Sequence, residues 1–228
     1  SNTAAVHFYM VEQENDPLVL SLPEVIEIAH ENGIPVLVDA AGQIYPLENF
    51  GKYVKLGADF QCIAAKYLGA SQSTGLALGT EEMIRKISKQ SFVGYEGRRI
   101  RGIGRPHKVD SQEMVGVVAA VRHWLTINHE ERLASIEERS GRIIKLLGGM
   151  EGVEVSMIDN IIGHQPFGVQ LRVDEKITGV SLHDIVARLK AGDPPIWTRV
   201  REEEDFMALH IFGLKEGEEE VVGSRIAE

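Results

Sequence analysis

The run Ile34-Pro35-Val36-Leu37-Val38-Asp39 constrains this chain more than any other segment. It is apolar without interruption until the aspartate, and a strand lacking in/out alternation is one covered on both faces, as in parallel sheets flanked by helices. The preceding residues supply the cover. Ser21 and Glu24 have capping-box spacing, Val25, Ile26, Ile28 and Ala29 give an apolar helix side, and Gly33 is placed to end the helix. Ahead of them lie an apolar strand, Ala4 to Val11, and the turn signal Asn15-Asp16-Pro17. Strand, helix and strand at this spacing predict a right-handed βαβ unit.

The unit repeats. Leu47 to Lys55 predicts a short helix ended by Gly57, and Ala58 to Ala65 the next strand. Gly75 to Gly79 follows as a short strand, and Thr80 caps a helix with Glu81 and Glu82 in its first turn. Four strands with three helical crossovers predict an α/β fold, a partial doubly wound, mostly parallel sheet. Ser91 to Lys108 is basic and glycine-rich and reads as a loop. Asp110 and Glu113 form a second capping box before a long helical region, Ser111 to about Leu147, broken near Asn128 and ended by Gly148-Gly149. The remainder reads as a small α+β unit, with strands near Val153–Ile158, Gly168–Val173, Pro195–Val200 and Phe206–Phe212 and a helix from Ser181 to Lys190. The expected organisation is a large-domain part over 1–109, a connecting helical region over 110–149, and a small α+β domain over 150–228. The first strand starts with almost no lead-in and Glu228 falls within a helical pattern, so a piece of a longer chain is expected.

Composition narrows the function classes. A net charge of −10 opposes binding of the chain as a whole to nucleic acid or an anionic membrane. No apolar run approaches the roughly 18 residues of a membrane span. One cysteine, Cys62, excludes an intramolecular disulfide framework and fits a reducing, cytoplasmic setting. His7, His123 and His164 lack ligand spacing, so no metal site is expected.

Two residues carry the candidate chemistry. Lys66 ends the apolar run Phe60 to Ala65 and opens a loop of glycines and hydroxyl residues, Gly69-Ala70-Ser71-Gln72-Ser73-Thr74-Gly75. Asp39 ends the other run, and ligands of open parallel sheets bind at the carboxyl ends of strands. An acid and an amine on that edge form either a structural salt bridge or the two anchors of an aldehyde cofactor. In the second case the lysine holds the cofactor as a Schiff base and the aspartate keeps its ring nitrogen protonated. Partial burial of Lys66 is then expected, to lower its basicity.

The sequence Val36-Leu37-Val38-Asp39-Ala40-Ala41-Gly42-Gln43, the spacing to Lys66-Tyr67-Leu68-Gly69, and Ser73-Thr74-Gly75 resemble fold-type-I pyridoxal-phosphate enzymes of the aminotransferase-like superfamily. Within it the chain is similar to the selenocysteine-synthase and D-glucosaminate-6-phosphate ammonia-lyase-like group. Gly104-Arg105-Pro106-His107-Lys108-Val109-Asp110 and Asp193-Pro194-Pro195-Ile196 with Arg199 share in that resemblance. It covers most of this chain but only the latter part of a family member. It implies pyridoxal 5'-phosphate as cofactor, an internal aldimine on Lys66, and Asp39 as partner of the pyridine nitrogen. Gln43 is then a candidate for the cofactor's phenolic oxygen or, alternatively, an exposed loop residue. Arg199 matches a substrate-carboxylate position or pairs with Glu202 or Glu203. Relatives often carry a hydroxyl residue or histidine just before the lysine, where this chain has Ala64 and Ala65. Phosphate anchoring therefore falls to Ser71, Ser73 or Thr74, or to groups outside the chain.

The basic loop has three readings: a solvated charge run, a phosphate site centred on Arg105 and Lys108, or a tRNA contact, which the acidic remainder disfavours. Cys62 is expected to pack rather than act as a nucleophile, and Trp124 and Trp197 to pack rather than stack on ligands. The activity the resemblance implies is α,β-elimination, of ammonia-lyase type, on a small amino acid or amino sugar acid by a homodimer or higher oligomer. Selenium transfer onto seryl-tRNA, transamination, and an inactive α/β module are the alternatives.

Overall fold

The computed structural model describes residues 2–10, 18–98, 101–158, 167–201 and 205–228, and of Arg98 and Arg199 the backbone alone. The chain forms two compact units, residues 1–127 and 128–228. No helix among the described residues is long and apolar enough to cross a membrane.

The first unit is built on a four-stranded sheet in the order β1-β2-β3-β4. Strand β1 (Val6–Tyr9) leads to α1 (Leu22–Glu31) and β2 (Val36–Asp39). The Ser21/Glu24 capping box is present at the start of α1, and Gly33 follows its end at φ 67°. A 3-10 turn, Leu47–Asn49, and α2 (Lys52–Lys55) carry the chain to β3 (Phe60–Ala64). Buried Gln61 holds this crossover, accepting from Tyr53 N at 3.2 Å and donating to Asn49 O at 2.6 Å. Strands β1, β2 and β3 are parallel, and Val36 and Val38 are fully buried, as the uninterrupted apolar run predicts.

The expected third crossover is absent: β4 (Gly75–Gly79) runs antiparallel to β3. Residues 65–74 are fewer than the dozen or so that a parallel crossover needs, so the chain can only turn back. The two backbones approach closely, and a Cβ at Gly79 would lie 2.6 Å from Asp59 O. Thr80 then caps α3 (Glu81–Gln90).

The glycine-rich segment read as loop contains a further helix, α4 (Phe92–Arg98). Tyr95 N bonds Ser91 O and Gly94 N bonds the Ser91 hydroxyl, so Ser91 starts the helix locally despite the two glycines. After it, α5 (Ser111–Thr126) begins with the Asp110/Glu113 capping box. Trp124 is buried and its indole N–H donates to Ile44 O at 3.0 Å, packing α5 on an apolar cluster with Ile44, Ile63 and Leu68. A second cluster, including Phe8, Leu22, Ile26, Val36, Val38 and Tyr53, lies around α1.

The break near Asn128 is found: Asn128 is the N-cap of α6 (His129–Leu147), accepting from Glu130 N and Glu131 N. The region expected over 110–149 is therefore two helices, and the division between the compact units falls between them. In the second unit, β5 (Val153–Ile158) and β6 (Gly168–Val173) occupy their expected spans. Then come α7 (Glu175–Thr178), α8 (Leu182–Ala191), β7 (Arg199–Arg201), β8 (Phe206–Leu209) and α9 (Glu218–Ala227). The sheet is antiparallel throughout, in the order β5-β6-β8-β7. Strand β7 starts later than predicted: Pro195 has no N–H to give a ladder, and Ile196 N bonds Leu189 O on α8 instead. Its core joins α6, β6, β8 and α8 through Ile143, Leu147, Leu171, Leu189 and Met207. Trp197 departs from its packing assignment: it is 75% exposed, with the Lys190 ammonium 4.3 Å from its ring centroid.

Candidate active site

The parallel ladder sets the centre of the site. Pairing of β2 with β3 puts Asp39 opposite Cys62, at the carboxyl end of both strands. Beyond the strands Ala64 N continues the pairing to Ala41 O at 3.0 Å. This fixes the turn after Asp39 beside the 3-10 turn Ala65–Leu68 that carries Lys66. The Tyr67 ring lies against Gly42, where a Cβ would meet it at 3.9 Å. Gly69, at φ 95°, ends the turn in a left-handed conformation that glycine adopts without strain.

Asp39 is half-buried and asymmetrically held. Its Oδ1 accepts from Ala41 N at 3.1 Å and from Cys62 Sγ at 3.3 Å, and no partner of Oδ2 is found among the described residues. Cys62 is thus more than packing. Burial, followed by the Asp39 hydrogen bond and charge, pushes its thiol up to about 11, so it stays a donor at neutral pH. A buried protonated thiol is a poor nucleophile, which supports setting aside a desulfurase role.

Lys66 makes no ion pair among the described residues; its ammonium stands 5.1 Å from the Tyr67 ring centroid. The structural salt bridge with Asp39 is not formed. The expected partial burial of Lys66 is absent as well, since its side chain projects from the turn into solvent. Gln43 is buried, at 1% exposure, rather than an exposed loop residue, and its Oε1 has no hydrogen-bond partner among the described residues.

The loop after Lys66 is tied to α5. Ser73 Oγ donates to Glu113 Oε1 at 2.6 Å and Ser71 Oγ lies 3.4 Å from the same oxygen. Those hydrogen bonds, the Ser73 one foremost, hold the Glu113 carboxyl below the usual carboxylate range. Thr74 is buried and its hydroxyl donates to Ser71 O at 2.7 Å, which shapes the loop from within.

Arg105 and Lys108 form a second cluster on α4. The Arg105 guanidinium lies 4.3 Å from the Tyr95 ring centroid and 3.7 Å from Glu96, and the Lys108 ammonium 4.6 Å from the Phe92 ring. Both cations rest on aromatic rings of α4 while remaining open to solvent. The Arg199 side chain, its alternative partners Glu202 and Glu203, and His164 lie outside the described residues. Sequence reasoning treated Glu113 only as a cap and Cys62 only as filler. Strand register was the signal for Cys62, and it is not readable from either strand alone.

Among the described residues the groups present fit pyridoxal phosphate: an amine in no ion pair, a preset carboxylate with one unengaged oxygen, and a buried amide whose oxygen has no partner. No family model matches the sequence. The chain is 28% identical over 178 residues to 5'-C-glycyluridine monooxygenase-decarboxylase of a Streptomyces species, covering 78% of this chain and 41% of the relative. It is 21% identical to D-glucosaminate-6-phosphate ammonia lyase of Salmonella typhimurium, covering 92% and 53%, and 23% identical to L-seryl-tRNA(Sec) selenium transferase of Aquifex aeolicus, covering 81% and 44%. The chain thus spans about half the length of the curated relatives it matches. Among solved structures, that of D-glucosaminate-6-phosphate ammonia-lyase superposes with a TM-score of 0.70 at 21% identity, covering 98% of this chain and 56% of that one. SepCysS, in its complex with the SepCysE N-terminal domain, superposes at 0.55 and 20% identity, covering 91% and 54%. Over that span the chain has the fold of the fold-type-I pyridoxal-phosphate enzymes, and its likeness is to the selenocysteine-synthase and D-glucosaminate-6-phosphate ammonia-lyase group.

Proposed function

We propose that this chain carries the lysine and the aspartate of a pyridoxal-phosphate-dependent enzyme acting on an amino acid or amino sugar acid. The observation that supports this best is the pair of adjacent strand ends: Asp39 with an Oδ2 that no described residue engages, beside a turn whose Lys66 has no carboxylate partner among the described residues. When bound, pyridoxal phosphate supplies an electron sink for negative charge on the carbon beside the substrate nitrogen.

In this reading Lys66 would hold the cofactor covalently, and its amine, when free, would be the base placed to take the substrate's α-proton. Asp39 Oδ2 would accept the ring N–H, the Gln43 amide N–H would donate to the phenolic oxygen, and Ser73 and Thr74 would lie toward the phosphate. Arg199, Arg105 and Lys108 are the candidates for substrate carboxylate or phosphate, since a guanidinium fork suits either group. The reaction class this reading assigns is α,β-elimination of ammonia-lyase type, with a homodimer or larger homo-oligomer as the working unit. The three relatives' names contain a glycyl, a glucosaminate and a seryl group, which supports an amino-acid-like substrate. Selenium transfer onto seryl-tRNA is the second reading, supported by the third of those relatives and by the basic residues around α4. Transamination and an inactive module remain behind it.

The test is addition of pyridoxal phosphate to the full-length protein. A visible absorbance band is expected, lost in Lys66→Ala; a protein that stays colourless overturns the reading. Salt-sensitive tRNA binding, weakened in Arg98→Ala/Arg99→Ala, would move the assignment to the tRNA substrate, and no binding at low salt removes it.

A further inference from the structure

The Asp39 carboxylate, at the carboxyl end of β2, is held unevenly. Two donors reach a single oxygen: the Ala41 amide at 3.1 Å, from the turn that follows, and the Cys62 thiol at 3.3 Å, from the neighbouring strand. They come from different elements, so together they set both the position and the rotation of the carboxylate. The consequence is an unequal pair of oxygens, with Oδ1 engaged twice and Oδ2 left for something outside the described residues. Gln43, on the same turn and almost fully buried, has an unpartnered Oε1, a second polar group on this turn short of a partner.

We propose that Cys62 is a positioning residue for the cofactor: its thiol, with the Ala41 amide, orients Asp39 so that Oδ2 is the oxygen that takes the ring N–H. The inference rests on the reading in which Asp39 partners the pyridine nitrogen. The thiol suits the task chemically. It is apolar enough for the interior of β3, its long C–S bond reaches across the ladder, and burial together with Asp39 keeps it protonated. Its part is to hold Asp39, with no contact to substrate and no covalent step.

The experiment compares two probes in the full-length protein: pyridoxal phosphate, and its deaza analogue in which carbon replaces the ring nitrogen. Removal of a hydrogen bond that orients a charged group, in Cys62→Ala, is expected to weaken pyridoxal phosphate binding about 5-fold to 10-fold in spectroscopic titration. Cys62→Ser, which keeps a donor, restores most of that loss. The deaza analogue, having no ring N–H for Oδ2, binds wild type and Cys62→Ala alike. Equal losses for both probes would mean that Cys62 merely packs the strand, and unchanged pyridoxal phosphate affinity in Cys62→Ala would mean that it does nothing for Asp39; either overturns the proposal. A wild type that discriminates neither probe from the other, or binds neither, overturns the Asp39 assignment itself and this inference with it.

Discussion

Ser73 donates its hydroxyl to Glu113 Oε1 at 2.6 Å, fastening the loop that follows Lys66 to the first turn of α5. The same carboxylate closes the capping box of that helix through Asp110 N at 3.2 Å. One acid therefore serves two elements, and it stands where the sequence put a phosphate-anchoring hydroxyl.

Glu113→Gln tests what that anion costs the loop. Glutamine keeps the capping-box geometry and an acceptor for Ser73 but removes a charge that repels phosphate. If Ser73 borders the cofactor phosphate, pyridoxal phosphate affinity rises about 3-fold in the variant, the scale of one exposed charge interaction, read by spectroscopic titration at low salt. In wild type the sign with pH follows from the depressed carboxyl: the Ser73 contact is intact above the normal carboxylate range and fades as pH falls through the lowered folded value.

Glu219 is the acid-sensitive point of the second unit. It is fully buried and pairs with Arg139 at 2.9 Å and Arg142 at 2.8 Å, while Gly217 N donates to it at 3.0 Å. Burial alone would raise its pKa; the Arg139 hydrogen bond and charge and the backbone donors outweigh that and bring it down. Its folded value lies below the unfolded one, so its contribution is present above the unfolded value and is lost as pH falls through the folded one. Glu219→Ala leaves the Arg139 guanidinium without its carboxylate and is expected to cost about 3 kcal/mol in denaturant unfolding at pH 7, a difference from wild type that narrows as pH falls through the lowered folded value.

Trp124 ties α5 to the segment after Asp39 through its indole N–H, which donates to Ile44 O. Trp124→Phe keeps an aromatic ring in the cluster but strands that carbonyl. A loss of about 1–2 kcal/mol in urea unfolding is expected, from the bond and the desolvated acceptor together.

Gly104 lets the basic loop lie against the end of α3, its N–H bonding Gln90 O at 3.0 Å. A Cβ there would collide with that same carbonyl. Gly104→Ala should therefore lift the loop, carrying Arg105 off Tyr95, and faster tryptic cleavage after Arg101 and Lys108 would report it. The expected stability loss is about 1–2 kcal/mol.

Much of the local architecture is legible in the chain. The capping boxes Ser21/Glu24 and Asp110/Glu113, the Ser181 and Asn128 helix starts, and the limits of β4, β5 and β6 follow from spacing over a few residues. Asp39 and Lys66 were likewise visible as ends of apolar runs. A hydrogen bond within one turn, or the side-chain period of a strand, involves near neighbours only, so the sequence determined them.

Relations between distant segments were decided by the tertiary structure. That Cys62 faces Asp39, that Glu113 meets Ser73, that Gln43 is buried, that β4 turns back on β3 and that Trp197 is exposed each depend on strand register or on docking of one element against another. A shift of one residue in register would send each strand side chain to the other face of the sheet. The chain's own pattern named the acid and the amine; the parallel ladder between β2 and β3 brought their segments together and gave the acid its orientation.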